Sequence, residues 1–186
     1  MKYGVLSLDR IIEIATQLSL KKIILADINF TGGFFELLLK AQHMGIDVIP
    51  GCEFRKNNQK FFTLVARNTT GFESINKILS SFLINEEFPE IDEIINDENI
   101  ILISAQNSKY GYNEVKKFNS RLNKQNDLFF PIITFFNKDD YNIHQHLVAI
   151  GKNNLLSKIS IKDFAESTEN VKQYLENIKL ADFNSY

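Results

Sequence analysis

The predicted fold is organised around residues 22–55, KIILADINFTGGFFELLLKAQHMGIDVIPGCEFR. Residues 23–26 are a short, unbroken apolar run, which is typical of a strand that is covered on both faces. Residues 34–44 have the apolar spacing of a helix, and Gly45 is the residue type that ends a helix in a left-handed conformation. Residues 47–50 then predict a second strand. Because a crossover helix separates the two strands, they are expected to run parallel.

Two carboxylates follow these predicted strands. Asp27 comes directly after the first strand, and Glu53 comes just beyond the second. The carboxyl ends of parallel strands meet at one edge of a sheet, where α/β folds place their functional sites. We therefore expect Asp27 and Glu53, with the nearby Asn29 and Arg55, to lie around one pocket at this edge.

The rest of the chain alternates apolar strand patterns with amphipathic helix patterns. This alternation predicts an α/β protein with a parallel sheet, and it leaves an open sheet and a barrel as alternatives. The sequence predicts strands at residues 61–66, 100–104 and 129–134, and helices at residues 8–18, 72–83, 91–95, 113–122, 139–150 and 161–180.

Composition limits the class of protein and the partners. The 186 residues are 44% hydrophobic and include sixteen Phe, which predicts a packed domain. The net charge of −2 argues against a general electrostatic grip on DNA or on an anionic membrane. The single cysteine excludes an internal disulfide. Since no apolar run approaches the roughly 20 residues of a membrane span, we expect a soluble, cytoplasmic protein.

Five sequence blocks resemble a known family. They are KYGVLSLDRIIEIA, LADINFTGG, GIDVIPGCEFR, LVARNTTGFESINKILS and DDYNIHQHLVAIGKNNLLSKI. Together they are similar to the N-terminal PHP (polymerase and histidinol phosphatase) domain of the alpha subunit of bacterial DNA polymerase III, in the form found in the Bacteroidota. The resemblance implies an incomplete TIM-like barrel of parallel strands with outer helices over residues 1–159, and we expect a helical extension at residues 160–186. In active members of the family, a trinuclear metal cluster at the carboxyl ends of the strands hydrolyses phosphoesters, including in proofreading.

The resemblance also locates the family's metal ligands, and most of them are missing. One glutamate is kept, as Glu53. The histidine of an Asp-His pair aligns with Ile28, directly after Asp27. The opening His-x-His would lie before Met1, together with the strand that carries it. The other ligand positions fall on Tyr3, Phe61, Ile132 and Thr134.

A metal cluster needs several nitrogen and carboxylate ligands that converge to within about 2.0–2.2 Å of each ion. Apolar side chains cannot neutralise the metal charge. Asp27 and Glu53 alone would hold at most a weakly bound Mg²⁺ between waters, and such an ion does not generate a hydroxide nucleophile. We therefore expect no catalytic residue, no metal centre and no cofactor. Asp27, Asn29, Glu53 and Arg55 are interpreted as a vestigial pocket.

Other candidate residues have simpler interpretations. Residues 31–33 are expected to form a tight turn rather than a phosphate cradle, because the pattern matches no known phosphate-binding motif. His144 and His146 lie two positions apart on a predicted helix and so do not face the same way. They are expected to be structural, as is His43 at a helix end. Cys52 is expected to be a small buried residue.

The resemblance implies a role in DNA replication. In the family, this domain packs against the polymerase core and offers a surface to the proofreading subunit. The parent protein is a DNA-directed DNA polymerase, whose catalytic palm domain these 186 residues do not include. A non-catalytic, structural PHP domain is therefore expected. The alternatives are a metal-dependent phosphoesterase or 3′–5′ exonuclease, and a free-standing protein-binding module.

The expected loss of the first strand has a consequence for assembly. Without that strand, residues 23–26 would have an unpaired edge, which favours pairing with another chain. We expect a homodimer or poor solubility of the isolated chain.

Overall fold

The computed structural model describes residues 5–56, 59–85, 94, 96–104 and 135–164. The chain divides into two compact units. The first unit is Ala15–Leu128, and the second is Met1–Ile14 together with Phe129–Tyr186. The described elements are α1 (Leu8–Gln17), β1 (Lys22–Ile28), α2 (Gly33–Gln42), β2 (Asp47–Lys56), β3 (Gln59–Ala66), α3 (Thr69–Asn85), β4 (Ile100–Ser104), α4 (Lys138–Gly151) and two 3-10 helices, Leu156–Lys158 and Ile161–Asp163.

The central β1–α2–β2 unit has the predicted form. β1 and β2 pair in parallel, from Lys22 opposite Asp47 to Ile28 opposite Glu53. Both strands extend beyond the predicted apolar runs. Gly45 has φ +66, which confirms the left-handed residue after α2.

The prediction that all strands run parallel is wrong for β3. The sheet order is β1-β2-β3-β4, and β3 runs antiparallel to both of its neighbours. Only residues 57 and 58 separate β2 from β3, which is too short for the crossover that a parallel pair requires. Ala66 lies opposite Ile100, so the chain leaves β3 and enters β4 at the same end of the sheet. β4 therefore runs in the direction of β1 and β2.

The four described strands form an open, mixed sheet. β1 and β4 are its edges within the described residues. The α/β class is therefore confirmed, and the incomplete TIM-like barrel stays a prediction. The predicted strand at residues 129–134 and the predicted helix at residues 113–122 lie outside the described residues, as does all of the predicted helix at residues 91–95 except Ile94, which is helical.

The core of the first unit lies between α3 and one face of the sheet. Ile75, Leu79 and Phe82 of α3 are buried, as the helical spacing predicts. Phe82 packs against Phe54 of β2, with ring centroids 6.1 Å apart. The start of α3 comes so close to the chain before β4 that a Cβ on Gly71 would lie 2.0 Å from the Asn99 carbonyl oxygen. Glycine is therefore required at this contact. The core cluster consists of Cys52, Phe54, Phe61, Phe62, Leu64, Ala66, Ile75, Leu79, Phe82, Ile94 and Ile100.

Side chains cap the starts of α1 and α4. The Ser7 hydroxyl accepts a hydrogen bond from the Arg10 backbone N–H (3.2 Å) at the start of α1. Asn137 and Asp140 form a capping box at the start of α4. Residues 161–163 form a 3-10 helix and Phe164 is extended, so the predicted C-terminal helix does not begin at residue 161. The rest of that helix lies outside the described residues.

None of the helices in the described part of the chain has the length and apolar character that a membrane span requires.

Candidate functional site

The ends of β1 and β2 are joined by one side chain. Asn29 has a left-handed backbone (φ 51), and its N–H donates to the Glu53 carbonyl oxygen (2.8 Å). Its side-chain amide donates to the Arg55 carbonyl oxygen (2.7 Å) and accepts from the Arg55 N–H (2.8 Å). The amide of Asn29 thus acts like one more peptide group, and it continues the β1–β2 ladder beyond Ile28.

Glu53 and Arg55 form an ion pair at this edge. The Arg55 Nε–H donates to Glu53 Oε1. The Glu53 side chain is 5% exposed and the Arg55 side chain 19% exposed, so both charges are largely removed from water. β2 shifts register between Phe54 and Arg55, a local bulge beside the pair. The carboxylate is therefore already neutralised by a cation of the protein.

Asp27 lies on the opposite face of the sheet from Glu53. It stands opposite Cys52 in the register, whereas Glu53 stands opposite Ile28. Residues opposite each other point to the same face, and successive residues point to opposite faces. Burial raises the pKa of Asp27. The structure therefore brings together three of the four expected pocket residues (Asn29, Glu53 and Arg55) and separates the fourth.

Cys52 has the structural role that the sequence predicts. It is fully buried and makes no disulfide. Burial raises its pKa to about 12, which keeps the thiol protonated and unreactive at neutral pH.

Comparison with known protein families identifies the fold family. A family model described as the PHP domain matches residues 1–144. The chain belongs to the PHP domain family. A search of curated proteins found no match. Among solved structures, the chain is similar to a protein from Bifidobacterium adolescentis that is provisionally assigned as a metal-dependent phosphoesterase, with 13% identity and a TM-score of 0.30. The similarity covers 81% of this chain, which spans 59% of the length of that protein.

The described residues of this PHP domain do not fit a metal cluster. Glu53 has Ile28 on one side and Thr63 on the other in the register of the sheet. Ile28 stands at the position where the family resemblance implies a histidine ligand, and its side chain offers no electron pair. No group of three or more His, Cys, Asp or Glu side chains that could hold a metal ion occurs within residues 5–56, 59–85, 94, 96–104 and 135–164.

Thr63 is the site residue that sequence reasoning missed. It is 4% exposed, and its hydroxyl has no hydrogen-bond partner among the described residues. A buried hydroxyl without a partner is costly, and this one stands directly beside Glu53 in the register of the sheet. The only sequence signal was a polar residue inside the apolar run FFTLVA at residues 61–66.

The turn at residues 31–33 of the PHP domain is held by contacts within the protein. The Thr31 hydroxyl is hydrogen-bonded to Asn76 Oδ1 of α3 (2.7 Å). A Cβ on Gly32 would lie 2.4 Å from the ring of Phe30. These contacts support the interpretation of the segment as a tight turn.

The histidines of the PHP domain are placed as structural residues. His144 is 1% exposed and lies in ring contact with Phe135 (centroids 5.0 Å apart), Tyr141 and Phe164. Burial lowers the pKa of His144. His146 is exposed, and its Nδ1 is 2.7 Å from the Asn142 carbonyl oxygen. The two side chains therefore face different environments, as helical spacing predicts. His43 is the C-cap of α2, the helix end that the sequence predicted for it.

Proposed function

We propose that this chain is a non-catalytic PHP domain that serves as a structural and interaction domain of the alpha subunit of bacterial DNA polymerase III. The single observation that carries the non-catalytic part is the Glu53–Arg55 ion pair. The polymerase context is supported by the sequence resemblance across residues 2–159 and not by the solved structures. In this proposal, the described sheet is part of an incomplete TIM-like barrel.

Loss of hydrolysis follows from the chemistry of the pair. Metal-assisted hydrolysis needs an ion that lowers the pKa of bound water to about 7. A guanidinium stays protonated and has no open coordination position, so it cannot activate water in this way. Glu53 Oε1 already accepts a hydrogen bond from the Arg55 Nε–H. The pair therefore supplies no metal-activated nucleophile.

An interaction role is supported by the outer surface of α2. Phe35 and Leu39 lie one helical turn apart and are 61% and 64% exposed. Phe30, in the turn before α2, is 56% exposed. Exposed apolar side chains that cluster in this way mark sites of protein contact. In this proposal they contact the polymerase core or the proofreading subunit.

Co-purification tests the interaction role. A tagged chain is mixed with the polymerase core and with the proofreading subunit of the same organism, and the bound protein is measured after size-exclusion chromatography. We expect a complex that the double variant Phe35→Glu/Leu39→Glu abolishes. Ile84→Glu is the matched control, because Ile84 is an exposed apolar residue of α3 (79%). Absence of any complex with the unaltered chain would contradict the polymerase context. If the double variant still forms the complex, the assignment of the α2 surface as the contact site is wrong.

A metal-dependent phosphoesterase is the second candidate function. Membership of the PHP family and the retained Glu53 favour it. This function needs further metal ligands beyond those that surround Glu53 in the described sheet. Calorimetric titration with zinc or manganese distinguishes the two proposals: stoichiometric, sub-micromolar binding together with hydrolysis of a phosphate ester would favour the enzyme.

A further inference from the structure

The positive charge next to Glu53 is a side chain of the protein, the guanidinium of Arg55. In a PHP metal centre, a glutamate at this place would be neutralised by divalent ions, yet here its carboxylate accepts from the Arg55 guanidinium. On the two sides of Glu53 in the sheet stand Ile28, which cannot bind a metal, and Thr63, whose hydroxyl alone is a weak ligand. The residues present therefore fit an internal ion pair and do not fit the metal cluster of the family.

The backbone of Arg55 is fixed in place by a second residue. Both of its main-chain polar groups are hydrogen-bonded to the side-chain amide of Asn29, at 2.7 and 2.8 Å. Asn29 itself is held by its N–H bond to the Glu53 carbonyl oxygen (2.8 Å). The three residues thus form a connected set of contacts that fixes the main chain from which the Arg55 side chain starts. A preorganised guanidinium loses less conformational freedom when it binds a carboxylate.

A divalent ion at Glu53 would compete with the Arg55 guanidinium. The guanidinium already donates to Glu53 Oε1, and both side chains are largely removed from water. A divalent cation at the same carboxylate would lie close to this positive charge in a region that is mostly shielded from water, where like charges repel strongly. A metal could bind Glu53 only by displacing the guanidinium.

We propose that the Arg55 guanidinium is the counterion of Glu53 and has taken the place of the divalent metal. The domain is then stabilised without metal, and it gains a metal-binding site at Glu53 only when Arg55 is removed. This inference rests on the proposed loss of the metal centre and extends it to the group that replaced the ion.

The test is a thermal-unfolding series of the full chain with manganese or with EDTA. The unaltered protein is expected to unfold at the same temperature in both. Arg55→Gln is expected to unfold at a lower temperature in EDTA, because the buried Glu53 carboxylate loses the positive charge and the hydrogen bond that Arg55 gives it. Manganese should raise that temperature by several degrees, since an ion that binds only the folded state stabilises it.

Two further variants complete the series. Glu53→Gln/Arg55→Gln removes both charges, and it should regain part of the lost stability and should not respond to manganese. Arg55→Lys keeps a cation, and it should behave like the unaltered protein toward manganese. If Arg55→Gln does not fold, the double variant must still fold, because the buried charge of Glu53 would then be the cause.

Three results would overturn the inference. They are a folded Arg55→Gln variant that does not respond to manganese, an unaltered protein that manganese stabilises, and a double variant that is no more stable than Arg55→Gln. The first and third results leave the polymerase context untouched, because that context is measured by co-purification. Failure of the co-purification likewise leaves the result for Arg55 untouched.

Discussion

Replacement of Asn29 is expected to destabilise the fold by an amount that follows from its contacts. Asn29→Ala removes the two hydrogen bonds to the Arg55 main chain, and each is worth about 0.5–1.5 kcal/mol net. Alanine must also adopt the left-handed conformation (φ 51), which costs a non-glycine residue about 1–2 kcal/mol. The sum is about 2–5 kcal/mol.

Asn29→Gly is the matched control for this prediction. Glycine loses the same two hydrogen bonds but adopts positive φ without steric cost, so it should be less destabilising than alanine. Urea denaturation followed by far-ultraviolet circular dichroism measures both free energies of unfolding, provided that the slope with denaturant is unchanged. The reasoning is refuted if Asn29→Ala lies within about 0.5 kcal/mol of the unaltered protein, the range of ordinary surface substitutions. It is refuted equally if Asn29→Gly costs more than Asn29→Ala.

Three further predictions concern packing and charge. Gly71→Ala should lower the thermal midpoint sharply, because the added Cβ would lie 2.0 Å from the Asn99 carbonyl oxygen. Gly151→Ala is the control: no atom lies within 4 Å of the added Cβ, so the midpoint should stay unchanged or rise. Burial lowers the pKa of His144 below 6.5, so the unfolded chain binds a proton at this residue more readily than the folded chain does. The free energy of unfolding should therefore keep its full value above pH 6.5 and should fall as the pH drops below it. His144→Phe should reduce that dependence in thermal melts between pH 8 and 5. Burial raises the pKa of Asp27, so Asp27→Asn should raise the thermal midpoint at pH 7, and a lower midpoint would contradict the effect of burial.

The β1–α2–β2 unit could be predicted from sequence because its signals are local. The apolar run at residues 23–26, the helical spacing after it and Gly45 each follow from the nearest neighbours in the chain. The direction of β3 was accessible too, since a two-residue connection implies an antiparallel pair. It was missed because strands that alternate with helices elsewhere favoured a parallel sheet. The path from Ala66 to Ile100 depends on contacts distant in sequence, and no local pattern encodes it.

The candidate site was predictable in its residues but not in its geometry. Asn29, Glu53 and Arg55 were all expected at the sheet edge, because residues after parallel strands meet there. Their mutual hydrogen bonds depend on the left-handed turn at Asn29 and on the bulge before Arg55, which the sequence does not specify. Asp27 was expected beside Glu53. A register that places Asp27 opposite Cys52 puts it on the other face, and register depends on packing.

The most direct measurement of the central idea is a calorimetric titration of the full chain with Mn²⁺, repeated with Zn²⁺ at neutral pH. If the guanidinium of Arg55 has replaced the metal of the family, the titration should show no saturable binding, and the chain should not hydrolyse a phosphate ester with either ion. Stoichiometric binding with a sub-micromolar Kd, accompanied by hydrolysis, would contradict it.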